Sequence, residues 1–261
     1  MIYIDTHCHI NDESLFPKRK EIIEEAVKEG VSLFIVPGWD IESSRKALQI
    51  AHEFPFVYAA IGIHPENLDG ISKDSLLEIE ALAKDKKVVA IGEIGLDYHW
   101  NKEQENHDKQ KDFFMEQINL ANKLSLPVSI HSRDASEDTL LLLKQHPVHF
   151  GAVLHCYSGS TELLPEFAKL GLYFGFDGPI TYKNAITPKN NVVVCPIDRL
   201  LSETDSPYLS PVPYRGKENH PVYVKEIVSQ MAALRNSDVE TITEAIRKNT
   251  LALFHVEPNN E

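Results

Sequence analysis

The stretch Asp5-Thr6-His7-Cys8-His9 places two imidazoles two residues apart, directly behind the apolar run Ile2-Tyr3-Ile4. Side chains in an extended segment repeat with period two, so residues 7 and 9 face one side, where both rings can reach a single cation. A His-x-His alone is weak, because strand-end histidines are commonly satisfied by water. The same residue types recur behind other apolar runs. His64 follows Ala59-Ala60-Ile61-Gly62-Ile63 and Glu93 follows Val88-Val89-Ala90-Ile91-Gly92; His131-Ser132-Arg133, His155 and Glu203-Thr204-Asp205 each close a further run. Imidazole with carboxylate binds Zn²⁺, Mn²⁺ or Fe²⁺, while carboxylate with water suits Mg²⁺. The six candidates His7, His9, Glu93, His131, His155 and Asp205 exceed one tetrahedral shell but fit two ions that share a carboxylate. Glu93, on a central strand, is the natural bridge. Two ions about 3.5–4 Å apart can activate a water and clamp both sides of a phosphoryl displacement. Asp205, beside that water, is the obvious base.

These residues need a scaffold that aims strand ends at one point. Short apolar runs at 2–5, 31–36, 57–62, 88–93, 127–131, 151–155, 172–177 and 200–204 alternate with amphipathic stretches. Most are continuous in Val, Ile, Leu or Phe, as parallel strands covered on both faces are. Helices are expected at 18–29 (ending at Gly30), from a cap at Asp40 to about 53, and at 104–124, 134–146 and 160–170. Two closing helices are expected near 220–235 and 238–254, while 184–198 reads equally as short helix or buried loop. Eight strands with helical crossovers in 261 residues predict a (β/α)8 TIM barrel, of the metallohydrolase type, as a single domain over 1–261. In that architecture the C-terminal strand ends converge on one mouth, where active sites lie.

The chain is 43% hydrophobic and 25% charged, the balance of a soluble globular protein. No apolar run approaches the roughly 18 residues of a membrane span, and Asp5 and His7 interrupt the first one too early for a secretory leader. Three cysteines without CxxC spacing argue against a disulfide framework and for a reducing, cytoplasmic setting. A net charge of −13 excludes nucleic-acid binding through a broad basic face. An anionic substrate must be gripped locally, by bound cations and a few Arg or Lys side chains.

The blocks DTHCH, GIHP, GEIGLD, SIHSR, LHCYSGS, ETDSP and RGKENHP, spread in order over residues 5–221, resemble the signature blocks of the TatD family of metal-dependent deoxyribonucleases. NTLALF, at 249–254, is similar to that family's C-terminal element. The resemblance implies an amidohydrolase-like barrel holding two divalent ions (Mg²⁺, Mn²⁺ or Zn²⁺). His7, His9 and Asp205 would hold one, His131 and His155 the other, and Glu93 would bridge them. It further implies a 3′–5′ exonuclease with DNA as its substrate, favouring single strands, with no obligate protein partner.

Around this set several residues carry two readings each. Arg133 forks onto a phosphate, or pairs with Asp134 or Glu137 at the surface. His64 donates to a phosphate or to a metal-associated water. Glu203 approaches a metal or the substrate, or faces the helices. The proline-stiffened loop 206–221 presents Arg215 and Lys217 as cations for the DNA backbone, while Asn219 contacts substrate or caps the next helix. Tyr98 and Tyr157 stack on bases or merely pack. Cys8 and Cys156 are expected to face the wall, and Asp177 adds a carboxylate near the mouth where the family more often has small residues. Two rival functions stay open: amidohydrolase-type cleavage of an amide, lactone or aminoacyl ester, and a barrel that binds metal without catalysis.

Overall fold

The computed structural model describes residues 2–72 and 74–256. Eight parallel strands are hydrogen-bonded in chain order: β1 (Tyr3–Asp5), β2 (Val31–Pro37), β3 (Val57–Ile61), β4 (Val88–Asp97), β5 (Val128–Arg133), β6 (Ala152–Leu154), β7 (Tyr173–Phe176) and β8 (Leu200–Ser202). Helices α1 (Arg19–Lys28), α2 (Ile41–Glu53), α3 (Ser75–Leu82), α4 (Gln104–Leu124), α5 (Ser136–Gln145), α6 (Leu164–Lys169) and α7 (Ile186–Val194) provide the crossovers. Two more, α8 (Val224–Leu234) and α9 (Val239–Phe254), follow β8 and pack on β1 and β8. The barrel expected from the sequence is the barrel observed. No helix among the described residues is long and apolar enough to cross a membrane.

The sheet closes between its first and last strands. Thr6 N donates to Ser202 O (3.0 Å), Asp205 N to His7 O (2.9 Å) and His9 N to Ser206 O (2.8 Å). Asp5, wholly buried, accepts from Thr204 N (2.9 Å) and Thr204 Oγ1 (2.6 Å) across the same seam. Residues nearly 200 positions apart thus leave the seam side by side, which is what brings Asp205 to His7 and His9.

Local signals account for most elements. Asp40 caps α2 as expected: its Oδ1 accepts from Ser43 N at 2.7 Å, and Ser43 Oγ accepts in return from Asp40 N at 2.9 Å. Several expectations are corrected. Helix α3 has no counterpart in the sequence reading, α6 covers only part of 160–170, and the ambiguous 184–198 contains helix α7. Strand β4 runs on to Asp97, so Glu93 lies inside the strand, not at its end. Between Ile91 and Ile94 its pairing with β5 slips by one residue, and such a bulge re-aims side chains toward a barrel mouth.

Helix α4 fastens two of the site-bearing strand ends. Gln117 accepts from Ile63 N (2.8 Å) and donates to Ile63 O (3.0 Å), and Gln110 does the same for Asp97 N and O (both 2.8 Å). The two glutamines are buried on the face that also carries Phe113, Phe114, Ile118 and Ala121. Seven residues apart, they lie on one helical stripe and satisfy backbone groups that would otherwise be buried unpaired.

Candidate metal centre

Six side chains carried by five strands meet at the barrel mouth, and all but His7 line a cavity of about 700 Å³. Nε2 of His7 and Nε2 of His9 are 3.1 Å apart. Both lie 3.5 Å from Glu93 Oε2, and they lie 3.7 and 3.3 Å from Asp205 Oδ1. Donor atoms 3.1–3.7 Å apart can each lie about 2 Å from one shared cation, the ordinary distance for zinc to nitrogen or oxygen. The other carboxylate oxygen, Glu93 Oε1, is 2.9 Å from His131 Nδ1 and 2.8 Å from His155 Nε2, and those nitrogens are 3.1 Å apart. The rings of His7 and His155 stack at 3.9 Å, so the two donor groups abut. All six residues are buried or nearly so. A crowd of buried nitrogen and carboxylate donors at these spacings suits divalent cations.

His64 reaches the same centre, with Nε2 3.4 Å from Glu93 Oε1. Its Nδ1 accepts from Glu66 N at 3.2 Å, and burial lowers its pKa, so the neutral ring carries its proton on Nε2. A ligating Nε2 would need that proton moved onto Nδ1, against the Glu66 N–H. His64 is therefore suited to donate a hydrogen bond into the pocket rather than to bind metal.

Behind each histidine of the second group stands a carboxylate. Asp97, buried on β4, accepts from His131 Nε2 at 2.9 Å. Glu203 lies below His155, with Oε1 3.7 Å from Nδ1 and bonded to Cys156 N. Gly175 on β7 leaves room for it, since a Cβ there would run into the Glu203 carboxylate. A carboxylate bonded in the way of Asp97 fixes the ring orientation of a metal-binding histidine and raises its basicity, while Glu203 acts on His155 through its charge. Asp97 was overlooked in the sequence reading, although residues 93, 95 and 97 follow one another at strand spacing. Asp97→Ala is expected to weaken metal binding by about 10- to 100-fold without unfolding the barrel. Metal titration alongside a thermal melt checks this; unchanged affinity would refute the orienting role.

Burial would raise the Glu93 carboxyl, but His155 and His64 and the bonds from His131 and His155 hold it well below the usual range. Burial would likewise raise Asp205, and His9, His7 and His155 draw it down. Burial pushes His7 down, so it stands neutral and ready to ligate. Burial also opposes charge on His131 and His155, yet Asp97 and Glu93 raise the former, and Glu93 and Glu203 raise the latter strongly. A cation entering the second group therefore competes with protons for these histidines. Metal affinity should fall as the pH drops through the raised histidine range, and neutral-pH binding should release protons. Calorimetry in buffers of differing ionisation enthalpy measures this; buffer-independent heats would contradict it.

The remaining expectations divide. Arg133 lines the pocket, its guanidinium 5.4 Å from the Trp100 ring. Lys217 and Arg215 are exposed on the loop after β8, with Arg215 over the Tyr182 ring at 4.3 Å. Asn219, Glu203 and Tyr157, each read as touching substrate or serving another role, are buried and do not line the pocket. Asn219 donates to Thr204 O (2.8 Å) and Tyr208 O (2.5 Å), holding the turn that carries Asp205 because those buried carbonyls need a donor. It does not cap the following helical turn, where His220 holds that position. Glu203 is fully buried inside the barrel wall rather than at its opening. Tyr157 packs against Phe167 and Phe174 and donates to Ser160 O (2.9 Å), so apolar burial claims its ring. Tyr98 is engaged as well, stacked on His107 and bonded to Asp138. Cys8 faces the wall, but Cys156, on a left-handed backbone (φ 43°), lines the cavity. Asp177 is buried away from solvent, and burial together with Asp205 and Glu203 raises its carboxyl well above the usual range. Trp39, Glu66, Trp100 and Tyr208 line the pocket unforeseen, because they sit on loops where no periodicity marks them.

A (β/α)8 barrel whose strand ends gather buried histidines and carboxylates around one shared glutamate has the architecture of a metal-dependent hydrolase. Comparison with known proteins agrees. The family described as TatD related DNase matches residues 4–255. The chain is 43% identical over 253 residues to the uncharacterized metal-dependent hydrolase YabD of Bacillus subtilis (strain 168), covering 97% of this chain and 98% of that protein. It is 34% identical over 261 residues to the uncharacterized metal-dependent hydrolase YcfH of Escherichia coli (strain K12), covering 98% and 97%. Its fold superposes on the crystal structure of YjjV, a TatD homolog from E. coli K12, with a TM-score of 0.92 at 32% identity, over 98% of each chain. The chain belongs to the TatD family of metal-dependent hydrolases.

Proposed function

We propose that the protein hydrolyses DNA phosphodiester bonds from the 3′ end, acting on single strands, with two divalent cations of the Mg²⁺, Mn²⁺ or Zn²⁺ kind. One observation carries this reading above the others: the two oxygens of Glu93 are divided between two donor groups, His7, His9 and Asp205 on one side and His131 and His155 on the other. Cations held there would activate water and neutralise charge on a phosphoryl group. The anionic phosphoryl centre suits such a site better than a neutral carbonyl does, and the pocket adds a cation in Arg133. Three free cysteines support a reducing, cytoplasmic setting.

The chain's own groups then have these tasks. Arg133 forks onto the non-bridging phosphate oxygens, and His64 donates Nε2–H to one of them. Lys217, on the rim, meets a neighbouring phosphate. Asp205 accepts the proton of the attacking water as its oxygen bonds to phosphorus. The bond from phosphorus to O3′ breaks in line, and O3′ leaves with the electron pair and is protonated from solvent. The products are a 5′-mononucleotide and a strand shortened to a new 3′-hydroxyl.

Incubation with 5′-end-labelled single-stranded DNA and Mg²⁺ tests the reading. A ladder shortening from the 3′ end is expected. No nucleotide release, with turnover of lactones or aminoacyl esters, would overturn it in favour of carbonyl chemistry.

A further inference from the structure

The described residues expose three aromatic rings, Trp100 (69%), Tyr208 (53%) and Phe150 (39%). Two of the three, Trp100 and Tyr208, border the metal-site cavity. The chain has only two tryptophans, and the other, Trp39, lines the same cavity. Aromatic rings left open at the mouth of a polar cavity can offer a flat apolar face to whatever enters it.

Their settings are organised. Trp100 lies on the β4–α4 loop, three residues beyond Asp97, at the His131 side of the mouth. The Arg133 guanidinium lies 5.4 Å from the ring centroid, and His99 meets the indole edge-on at 4.7 Å. His99 is itself tied to Asp134, Nδ1 to Oδ2 at 2.9 Å. Tyr208 lies beyond β8 at the opposite, His9 side, edge-on to His9 at 6.1 Å, with its hydroxyl donating to Asp12 Oδ2 at 3.1 Å. Both rings are steered by neighbours, and both keep much of their surface open. The donors His9, Glu93, His131, His155 and Asp205 line the same cavity as the two rings.

We propose that Trp100 and Tyr208 are stacking platforms for the nucleobases on either side of the scissile phosphate, making them specificity-determining residues of the reaction. This rests on the nuclease reading above. A planar π-surface accepts any base, so the pair selects for unpaired nucleotides rather than for sequence. Bases inside a duplex already stack on their neighbours and cannot offer a free face. Arg133 joins two tasks, since the same guanidinium that touches the indole points a cation into the phosphate pocket.

The test pairs base removal with ring removal. Hydrolysis of a short single-stranded oligonucleotide is compared with that of the same strand carrying tetrahydrofuran abasic residues at its two 3′-terminal positions, in wild type, W100A, W100F, Y208A and the double alanine variant. Removing the bases should raise the wild-type KM about tenfold or more, and each alanine variant should raise KM for the intact strand by a similar factor. The effect should fall on KM with a smaller share on kcat, and W100F should recover most of it. In the double alanine variant, base removal should have no further effect. Equal KM values for intact and abasic strands in wild type, or an alanine penalty that persists on the abasic strand, would overturn the proposal. Should wild type release no nucleotide, the nuclease reading has failed, and fluorescence then decides the platform. Oligonucleotide binding must quench Trp100 emission in the metal-loaded W39F variant, and absence of quenching defeats the platform too. Both rings are surface groups, and unchanged melting curves confirm that the variants fold.

Discussion

Glu93→Gln is expected to abolish hydrolysis, lowering kcat by about a thousandfold or more, and to reduce bound metal below two ions per chain. The amide keeps the shape of the side chain but has only one good donor oxygen and no charge. Oε1 and Oε2 now face different donor groups, so an amide nitrogen must occupy one of those positions and point its hydrogens at histidines or a cation. The replacement also removes the anion that His131 and His155 face at 2.9 and 2.8 Å. Metal analysis after dialysis, run beside the activity assay, separates loss of ions from loss of rate. Full metal content with unchanged cleavage would refute the bridging role.

Asp205→Asn tests the base. The backbone here is left-handed (φ 55°), a conformation that Asn tolerates and Ala resists, so Asn is the fairer replacement. Its amide oxygen can still face His7 and His9, but it cannot take a proton from water. A fall in kcat of about 10²- to 10⁴-fold is expected, with KM changed much less. The Asp205 carboxyl is held below its ordinary range, since His9, His7 and His155 outweigh the burial that would raise it. It therefore stays ionised through neutral pH, and at saturating metal the wild-type rate should lose this base only as the pH drops into the acid carboxylate range. That acid limb should change in the variant. A pH–rate profile identical in both proteins would remove Asp205 from the proton transfer.

Both predictions concern residues visible in the sequence, because strand periodicity and strand-end position already grouped them. His7 and His9 could be placed together from two-residue spacing alone. Asp97 was in view and unrecognised: its role depends on an unforeseen extension of β4 and on the facing ring of β5. Asn219, Glu203 and Tyr157 each carried two readings, and the structure buries all three for a related reason. Each stands near a ligand in sequence, but each side chain turns into the protein to serve a buried carbonyl, a histidine or an apolar neighbour. Sequence neighbourhood reports where a backbone passes, whereas burial decides which way the side chain points. The loop aromatics Trp100 and Tyr208 had no repeating pattern to reveal them, and the sequence reading weighed stacking against packing only for Tyr98 and Tyr157.

The sequence by itself determined the barrel, through alternating apolar strands and amphipathic helices, and the donor set, through residue types at successive strand ends. Those signals are local, repeated and chemically restrictive. Tertiary structure alone decided how the donors divide. It set Glu93 between two groups by a bulge in β4, and it carried Asp205 to His7 and His9 by closing β8 onto β1. It also set His64 Nδ1 against the backbone N–H of Glu66, which favours donation from Nε2. These outcomes depend on distances of a few ångströms between residues up to some 200 positions apart, and only the closed barrel establishes such distances.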